Sequence, residues 1–255
     1  DNVDHNQIIQ VMLDRGVDRW FINWYSHYLR NRSCVSRLGG EETSFNIAAG
    51  FPQGGAWSPT AWNICFEPLL GELVQLADQV TGLADDGAVL CAGNSAMDVT
   101  PRIQNILSAC ERWGERNGLL FSGSKTKLVL FGDGGGPGVE AFLYGERVEV
   151  VTSIKYLGID IDNQLSFNHH AERKAISAQK HLMALQNMVG ALFGPSPRVT
   201  SWLYRAIVRP AMTYGSHVWG HRLDLKSKNR LNKLHRLALT CIAPILKGTP
   251  TAGLE

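Results

Sequence analysis

Two adjacent aspartates, Asp85 and Asp86, lie among apolar and small residues in the stretch TGLADDGAVL. Neighbouring carboxylates repel one another, and burying either of them is costly. The apolar runs on both sides predict a β-hairpin whose turn carries the pair. Two converging carboxylates suit a hard divalent cation such as Mg²⁺, with Mn²⁺ as an alternative. Aspartate is also a favoured turn residue, so a purely structural turn stays open at this point.

A second segment with chemical potential, GFPQGGAWSP, spans residues 50–59 and lies about thirty residues before the aspartates. Its turn-forming residues lead into the apolar run TAWNICFEPLL, which predicts a loop followed by a helix with unpaired N–H groups in its first turn. The glycines at 50, 54 and 55 allow a polymer backbone to approach closely. The Gln53 side chain adds a hydrogen-bonding group to this loop.

The elements that must position these residues change character along the chain. Up to residue 168 the pattern alternates helices with short strands and carries 12 Lys and Arg against 20 Asp and Glu. Residues 169–255 have the pattern of helices and carry 13 basic against 3 acidic residues. We therefore predict an α/β (α+β) body over 1–168 and a basic all-helical region over 169–255. Such charge asymmetry favours nucleic-acid binding, although basic helices that are simply well solvated would give the same charge pattern.

Several local patterns give more specific expectations. Asp18 is predicted to cap a helix that carries an aromatic stripe, Trp20, Trp24 and Tyr28, which we expect to lie in the core rather than to stack on bases. CVSRLGGEETSFNI predicts two short strands around Gly39-Gly40, and the glycine-rich stretch 132–138 predicts a loop. Another helix is predicted from Pro101 to Asn117. A single apolar stripe at helical spacing runs from residue 171 to residue 189 and predicts a further helix.

Composition narrows the class of protein further. The five cysteines are scattered and never form a C-x-x-C pair, which favours a reducing compartment without a disulfide partner. No apolar run approaches the roughly 18 residues of a membrane span, so no membrane partner is expected. The chain begins at Asp1 without a methionine and runs quickly into a helical pattern, so we expect a piece of a longer protein.

Taken in order, these motifs resemble the reverse transcriptases of non-LTR (LINE-type) retrotransposons. The resemblance is carried by G-x-P-Q-G-x-x-x-S-P at 50–59, Asn63 and A-D-D at 84–86. GLLFSGSKTKLVLF is similar to the family's lysine–threonine motif, and IKYLGIDID to its Tyr-Leu-Gly turn. The helical segments after residue 200 resemble the region downstream of the polymerase core, and DNVDH resembles the end of the family's first catalytic segment.

The resemblance implies a right-hand polymerase palm over 1–168, with the fingers and the start of the palm missing, and a thumb-like helical region over 169–255. Asp85 and Asp86 would bind the metal, Asp85 being the more critical, and Lys125 would act near the incoming triphosphate. The residues implied to line the template and nucleotide pocket are Gly50, Pro52, Gln53, Gly54, Gly55, Ser58 and Asn63. The residues implied to form the primer grip are Tyr156, Leu157 and Gly158.

The implied activity is RNA-directed DNA polymerisation, in which a primer 3′-OH is extended with deoxynucleotides by two-metal transfer. Its partners would be an RNA template, a DNA primer, the RNA–DNA hybrid and dNTPs. Localisation in the nucleus, with a cytoplasmic ribonucleoprotein stage, follows from the family alone.

Two departures from the family pattern qualify this expectation. Leu83 stands where an aromatic residue usually precedes A-D-D. The family's first catalytic aspartate would lie upstream of Asp1, so we expect these 255 residues alone not to polymerise. The alternatives are an intron-encoded reverse transcriptase and a decayed, non-catalytic nucleic-acid-binding remnant, and Asp85-dependent Mg²⁺ binding would distinguish the remnant.

Overall fold

The computed structural model of the chain describes residues 3–30, 32–132, 138–188 and 194–242. Its α-helices are α1 (His5–Asp14), α2 (Arg19–Leu29), α3 (Ser58–Leu76), α4 (Ala96–Asn117), α5 (Asn168–Met188), α6 (Pro197–Leu203), α7 (Arg209–Thr213), α8 (Ser216–Trp219) and α9 (Leu225–Ile242), with a π-helical turn at Tyr204–Val208. Its strands are β1 (Arg32–Leu38), β2 (Glu41–Ile47), β3 (Gln79–Leu83), β4 (Asp86–Leu90), β5 (Lys127–Leu128), β6 (Phe142–Leu143), β7 (Glu146–Arg147), β8 (Glu149–Val150), β9 (Ser153–Tyr156) and β10 (Ile159–Asp162). The predicted mixture of helices and strands is confirmed.

Antiparallel hairpins account for most of the strands. β1 pairs with β2, β3 with β4, β6 with β7, and β9 with β10. Gly39 and Gly40 turn the first hairpin with φ of 60° and 91°, values that a residue with a Cβ rarely adopts. The hairpins predicted around Gly39-Gly40 and around the double aspartate are therefore both confirmed.

The chain divides into two compact units. The first comprises Asp1–Leu128 and Asp133–Glu149, and the second comprises Val129–Gly132 and Val150–Glu255. The predicted boundary at residue 168 concerns the polymerase regions that the sequence resembles, and it stays a prediction. Within the described residues, no helix is both long enough and apolar enough to cross a membrane.

The first unit is built around helices α1 to α4. Ile8 and Met12 of α1 pack with Ile22, Tyr25 and Leu29 of α2 in one buried cluster, which α3 completes with Ala61 and Cys65. Further along α3, Phe66, Leu69 and Leu73 pack against Ile106, Ala109 and Trp113 of α4. Helix α3 therefore contacts both clusters and forms the centre of this unit.

The buried face of α2 is not the one predicted. The Asp18 side chain caps the helix as expected, accepting a hydrogen bond from the Trp20 backbone N–H at 2.7 Å. However, Trp20, Trp24 and Tyr28 are exposed, while the core residues lie on another face. The prediction that this aromatic stripe lies in the core is wrong, because α2 carries two stripes at helical spacing and packs with the more aliphatic one.

Helix α4 begins five residues earlier than predicted. Ser95 has an extended backbone, and its hydroxyl accepts a hydrogen bond from the Asp98 N–H, so the helix begins at Ala96. Pro101 lies inside the helix, where its missing N–H leaves the Met97 carbonyl without the usual i→i−4 donor. The helix ends as predicted at Asn117, where Gly118 adopts a left-handed φ of 64°.

The second unit contains the predicted helical stripe. Ala171, Ala175, Ala178, Leu182 and Leu185 of α5 are all buried. They pack against the π-helical turn, α7 and α9. Val189, the last residue of the predicted stripe, lies outside the described residues, as do residues 133–137 of the predicted glycine-rich loop and the segment after Ile242.

A buried polar cluster joins β10 to the start of α5. Asp160 is 8% exposed, and its carboxylate pairs with the Arg173 guanidinium. The Nδ1 atom of His170 lies 3.1 Å from Asp160 Oδ2, and the His170 ring packs edge-on against Trp219. Burial lowers the pKa of His170 below its usual value, despite the neighbouring carboxylate. The Asp160 backbone N–H lies at the same distance from Nδ1, so this nitrogen faces both the amide and the carboxylate of Asp160, and the tautomer decides which of the two it bonds.

This lowered pKa of His170 predicts a pH dependence of stability. The unfolded histidine binds a proton more readily than the folded one, so the contribution is fully present above about pH 6.5 and is lost as the pH falls below that value. Urea unfolding at pH 7.5 and 5.5 measures the effect. We expect His170→Gln to lose less stability across this interval than the native chain, and His27→Gln, at an exposed site, to behave like the native chain. Equal losses in the native chain and in His170→Gln would contradict the prediction.

Candidate functional site

The double aspartate lies at the tip of the β3–β4 hairpin. Leu83 pairs with Asp86, so the two-residue turn consists of Ala84 and Asp85, one residue earlier than the aspartate pair itself. Both carboxylates are exposed, and neither forms an ion pair within the described residues. Ala84 has a φ of 54°, a left-handed conformation that is strained for alanine. The pair is thus held by the backbone and remains open to a ligand.

Trp62 anchors this turn, a role that no sequence pattern indicated. Its indole N–H donates a 2.6 Å hydrogen bond to the Ala84 carbonyl. The same ring stacks on Phe66 and meets Phe51 edge-on, with ring centroids 5.5 and 6.4 Å apart. Since Phe51 belongs to the 50–59 loop, Trp62 connects both sequence motifs through helix α3. Adjacent to it, Asn63 is exposed on α3.

The 50–59 loop is fixed by its own backbone and by a hydroxyl. Gly50 donates its N–H to the Val3 carbonyl at 2.8 Å and has a φ of 84°. Gly55 donates to the Pro52 carbonyl at 2.9 Å, and Ser58 Oγ donates to the same oxygen at 2.6 Å. A Cβ on Gly55 would lie 2.8 Å from Ser58 Oγ and 3.0 Å from the Pro52 carbonyl oxygen. Gly55 is therefore required for packing within the loop.

This geometry separates the roles of the predicted binding residues. Gln53 and Gly54 are exposed on the loop, where a ligand can reach them, whereas Pro52 is buried. The Ser58 hydroxyl is already used to close the loop. The structure thus gives Pro52, Gly55 and Ser58 a shaping role and leaves Gln53 and Gly54 as the accessible residues.

Lys125 lies in a turn that precedes β5. The Lys125 and Thr126 backbone N–H groups donate to the Ser122 carbonyl at 3.2 and 2.9 Å, and the Thr126 hydroxyl donates to the same oxygen. The Lys125 side chain is exposed and forms no ion pair among the described residues. Its predicted role next to a triphosphate stays a prediction.

The Tyr-Leu-Gly motif forms the turn of the β9–β10 hairpin in the second unit. Tyr156 pairs with Ile159, and the two turn residues, Leu157 and Gly158, have φ of 47° and 81°. Positive φ at both central residues matches the tight turn whose twist suits a hairpin. A Cβ on Gly158 would approach the Tyr214 ring to 3.1 Å. Glycine at this position therefore meets both the backbone and the packing requirement.

Tyr214, which the sequence did not single out, holds this turn. Its hydroxyl donates a 2.9 Å hydrogen bond to the Leu157 carbonyl, and the Lys174 ammonium lies 4.7 Å from its ring centroid. The Trp219 indole donates to the Tyr214 carbonyl at 3.0 Å. A Cβ on Gly215 would meet Ile159 at 2.7 Å. The segment TYGSHVW therefore packs against the Tyr-Leu-Gly turn and holds it in place; we call this set of contacts the clasp.

Removing the Tyr214 hydroxyl tests this clasp. Tyr214→Phe keeps the ring and loses one hydrogen bond, so we expect the free energy of unfolding to fall by about 1 kcal/mol. Urea unfolding followed by circular dichroism measures the change. The matched control is Tyr28→Phe, a half-exposed tyrosine on α2, for which we expect no change. Equal stability of the Tyr214 variant and the native chain would show that the hydroxyl does not hold the turn.

The donor set at Asp85 and Asp86 fits a divalent cation in chemical type. Carboxylate oxygens are the ligands that Mg²⁺ prefers, and exposure leaves room for the waters that it retains. Within the described residues, no group of three or more acidic, histidine or cysteine side chains forms a complete metal site. An apolar cleft of about 200 Å³, lined by Met12, Phe21, Trp57 and Ile64 among others, lies elsewhere in this unit and has no charged lining residue.

Comparisons with known proteins agree with the motif assignment. Residues 1–161 match the model of the reverse transcriptase (RNA-dependent DNA polymerase) family. A putative 115 kDa protein in the type-1 retrotransposable element R1DM of Drosophila melanogaster is 26% identical over 256 residues, covering all of this chain and 25% of that protein. The RNA-directed DNA polymerase from mobile element jockey of the same species is 28% identical over 224 residues, covering 82% of this chain and 23% of that protein.

A third relative gives the same result. The probable RNA-directed DNA polymerase from transposon X-element of Drosophila melanogaster is 24% identical over 243 residues, covering 91% of this chain and 26% of that protein. The chain spans about a quarter of the length of these three relatives. The resemblance to non-LTR retrotransposon proteins is confirmed, and the chain belongs to the reverse transcriptase family.

Proposed function

We propose that this chain is the catalytic-centre and thumb portion of a non-LTR retrotransposon reverse transcriptase. The reaction is attack of a primer 3′-OH on the α-phosphorus of a deoxynucleotide paired to an RNA template, with release of pyrophosphate. The observation that carries the proposal is the exposed Asp85–Asp86 turn. Its backbone is anchored by Trp62 to α3, the helix that follows the 50–59 loop.

Asp85 and Asp86 would hold Mg²⁺, or Mn²⁺, through their carboxylates. When bound, the metal activates the attacking hydroxyl and stabilises the charge on the leaving phosphate oxygen. The chain's contribution is to present two negative charges on a rigid turn, since the Trp62–Ala84 hydrogen bond and the β3–β4 pairing both fix its backbone. Exposure of the pair leaves it accessible to a nucleotide and a primer end.

The other predicted residues have supporting roles in this proposal. Gln53 and Gly54 would face the templating base pair, and Lys125 would neutralise phosphate charge or donate a proton to pyrophosphate. The turn of Tyr156, Leu157 and Gly158 would hold the primer backbone. The rigid loop and the clasped turn described above support these roles, because positioning groups must be held in place before the substrate arrives.

The basic helices of the second unit would clamp the RNA–DNA hybrid. Lys180 of α5 and Lys226, Lys228 and Lys233 of α9 are exposed and take part in no ion pair among the described residues. Uncommitted surface lysines are available to phosphates, and such contacts are independent of sequence and sensitive to salt. This is the basis for proposing a palm over 1–168 and a thumb-like region over 169–255. Nuclear action with a cytoplasmic ribonucleoprotein stage is part of the same proposal.

Primer extension tests the function. A DNA primer annealed to an RNA template is incubated with the complete open reading frame that contains this chain, together with dNTPs and Mg²⁺. We expect template-directed DNA synthesis that stops when the metal is chelated. A folded protein that binds the hybrid but incorporates no nucleotide with Mg²⁺ or Mn²⁺ would contradict the proposal and favour a non-catalytic nucleic-acid-binding protein.

A further inference from the structure

The exposed face of α2 carries three aromatic rings that the proposed catalytic site does not use. Trp20, Trp24 and Tyr28 recur every fourth residue and are 74%, 41% and 41% exposed. The Trp24 and Tyr28 rings stack with centroids 5.7 Å apart and an interplanar angle of 6°. Leaving this much aromatic surface in water is unfavourable, so the face is suited to a binding partner.

Charge around this face indicates the chemistry of that partner. Residues 15–38 contain five arginines and one aspartate, whereas the rest of residues 1–168 contains 7 basic and 19 acidic residues. Arg15 and Arg37 are paired with Glu67 and Glu42. Arg19, Arg30 and Arg32 have no ion pair within the described residues.

One of these arginines lies next to the aromatic row itself. The Arg32 guanidinium is 5.7 Å from the Tyr28 ring centroid, at the end of the row. Arginines next to exposed aromatic rings are the combination used for single-stranded nucleic acids, in which bases stack on rings and phosphates meet the guanidinium groups. A duplex would satisfy only the arginines, because its bases are already stacked on one another.

We propose that the α2 face binds single-stranded nucleic acid. Bases stack on the exposed rings of Trp20 and Trp24, the stacked Tyr28 ring with Arg32 over it closes the row, and Arg19 and Arg30 contact phosphates. The proposal rests on the proposed function for the source of the strand, which would be the unpaired template. The binding itself requires neither the metal nor Asp85, so its failure is distinguishable from failure of catalysis.

The test is a fluorescence anisotropy titration of a labelled 12-nucleotide oligouridine RNA with the 255-residue chain in the absence of Mg²⁺. We expect Trp20→Ala and Trp24→Ala each to weaken binding about fivefold to a hundredfold. The matched control is Trp202→Ala, since Trp202 is an exposed tryptophan of α6 in the second unit, and we expect its binding to be unchanged. Circular dichroism confirms that each variant is folded.

A second measurement isolates the charge contribution. Arg19→Gln and Arg30→Gln leave the rings in place, so we expect weaker binding and a salt dependence whose slope falls by about 0.7 for each phosphate that is no longer neutralised. Unchanged affinity of both tryptophan variants would overturn the proposal. The proposal would also be overturned if the tryptophan substitutions weakened binding of an RNA–DNA hybrid as much as binding of the single strand. A third result would overturn the proposal: tryptophan variants that bind RNA like the native chain but sediment differently from it in the absence of RNA. The α2 face would then be a contact between copies of this chain.

Discussion

Replacing Asp85 by asparagine is expected to reduce deoxynucleotide incorporation by the complete polypeptide by more than about a hundredfold. Asparagine keeps the size of the side chain and is equally suited to a turn, but it removes the negative charge that would bind the metal. Because Asp85 is exposed and forms no ion pair among the described residues, we expect no loss of stability. Single-turnover primer extension measures the rate, and urea unfolding verifies stability.

Two further variants make this result specific. Asp86→Asn removes the neighbouring charge, and we expect a smaller loss than for Asp85→Asn. Asp98→Asn changes an exposed aspartate in the first turn of α4, and we expect the rate of the native protein. An Asp85→Asn protein that retains more than about a tenth of the native rate would show that the turn has only a structural role. The same measurements in Mn²⁺ test whether a different cation restores activity.

The hairpins were predictable because their turns have a local chemical cause. The Gly39-Gly40 pair and the apolar runs on both sides of the double aspartate indicate two of these reversals from neighbouring residues, although the second turn lies at Ala84-Asp85. Helix caps such as Asp18 and the Gly118 terminus are equally local. The features that can be predicted from the sequence are therefore mainly turns and helix ends, which are determined by residues close to one another along the chain.

The choice of the buried face on α2 was not local. Both the Trp20, Trp24, Tyr28 stripe and the Ile22, Tyr25, Leu29 stripe have helical spacing, so periodicity alone cannot choose between them. Helices α1 and α3 determine the outcome, because they pack with the second stripe. Residues assigned to the core are not available for binding, so the exposed aromatic face of α2 could not be predicted from the sequence.

The supports of the site were unpredictable for a related reason. Trp62 contacts Ala84 across 22 positions, and Tyr214 contacts Leu157 across 57. Tryptophan and tyrosine are common in cores, so neither residue type at those positions indicates a hydrogen bond to a distant turn. Motif residues could be identified from the sequence, but the residues that hold them in place required the three-dimensional structure.

The largest stability effect is expected at Asp160. Its nearly buried carboxylate pairs with the Arg173 guanidinium and lies 3.1 Å from His170 Nδ1, so Asp160→Ala removes the counter-charge of the guanidinium and one polar neighbour of the buried imidazole. Losing one member of a buried pair typically costs about 3–5 kcal/mol, and we expect about 3 kcal/mol because Arg173 is half exposed. Urea unfolding of the 255-residue chain measures this loss.

Comparison with milder variants identifies the cause. Asp160→Asn keeps an acceptor oxygen, so we expect an intermediate loss, and Arg173→Ala removes only the exposed partner, so we expect about 1 kcal/mol or less. A loss from Asp160→Ala no larger than that from Arg173→Ala would contradict this explanation. Because Asp160 lies two residues after Gly158 on the β9–β10 hairpin, its loss should also loosen the predicted primer turn. We therefore expect the Asp160→Asn polypeptide to have a higher KM for the primed template at nearly unchanged kcat, whereas Asp85→Asn lowers kcat.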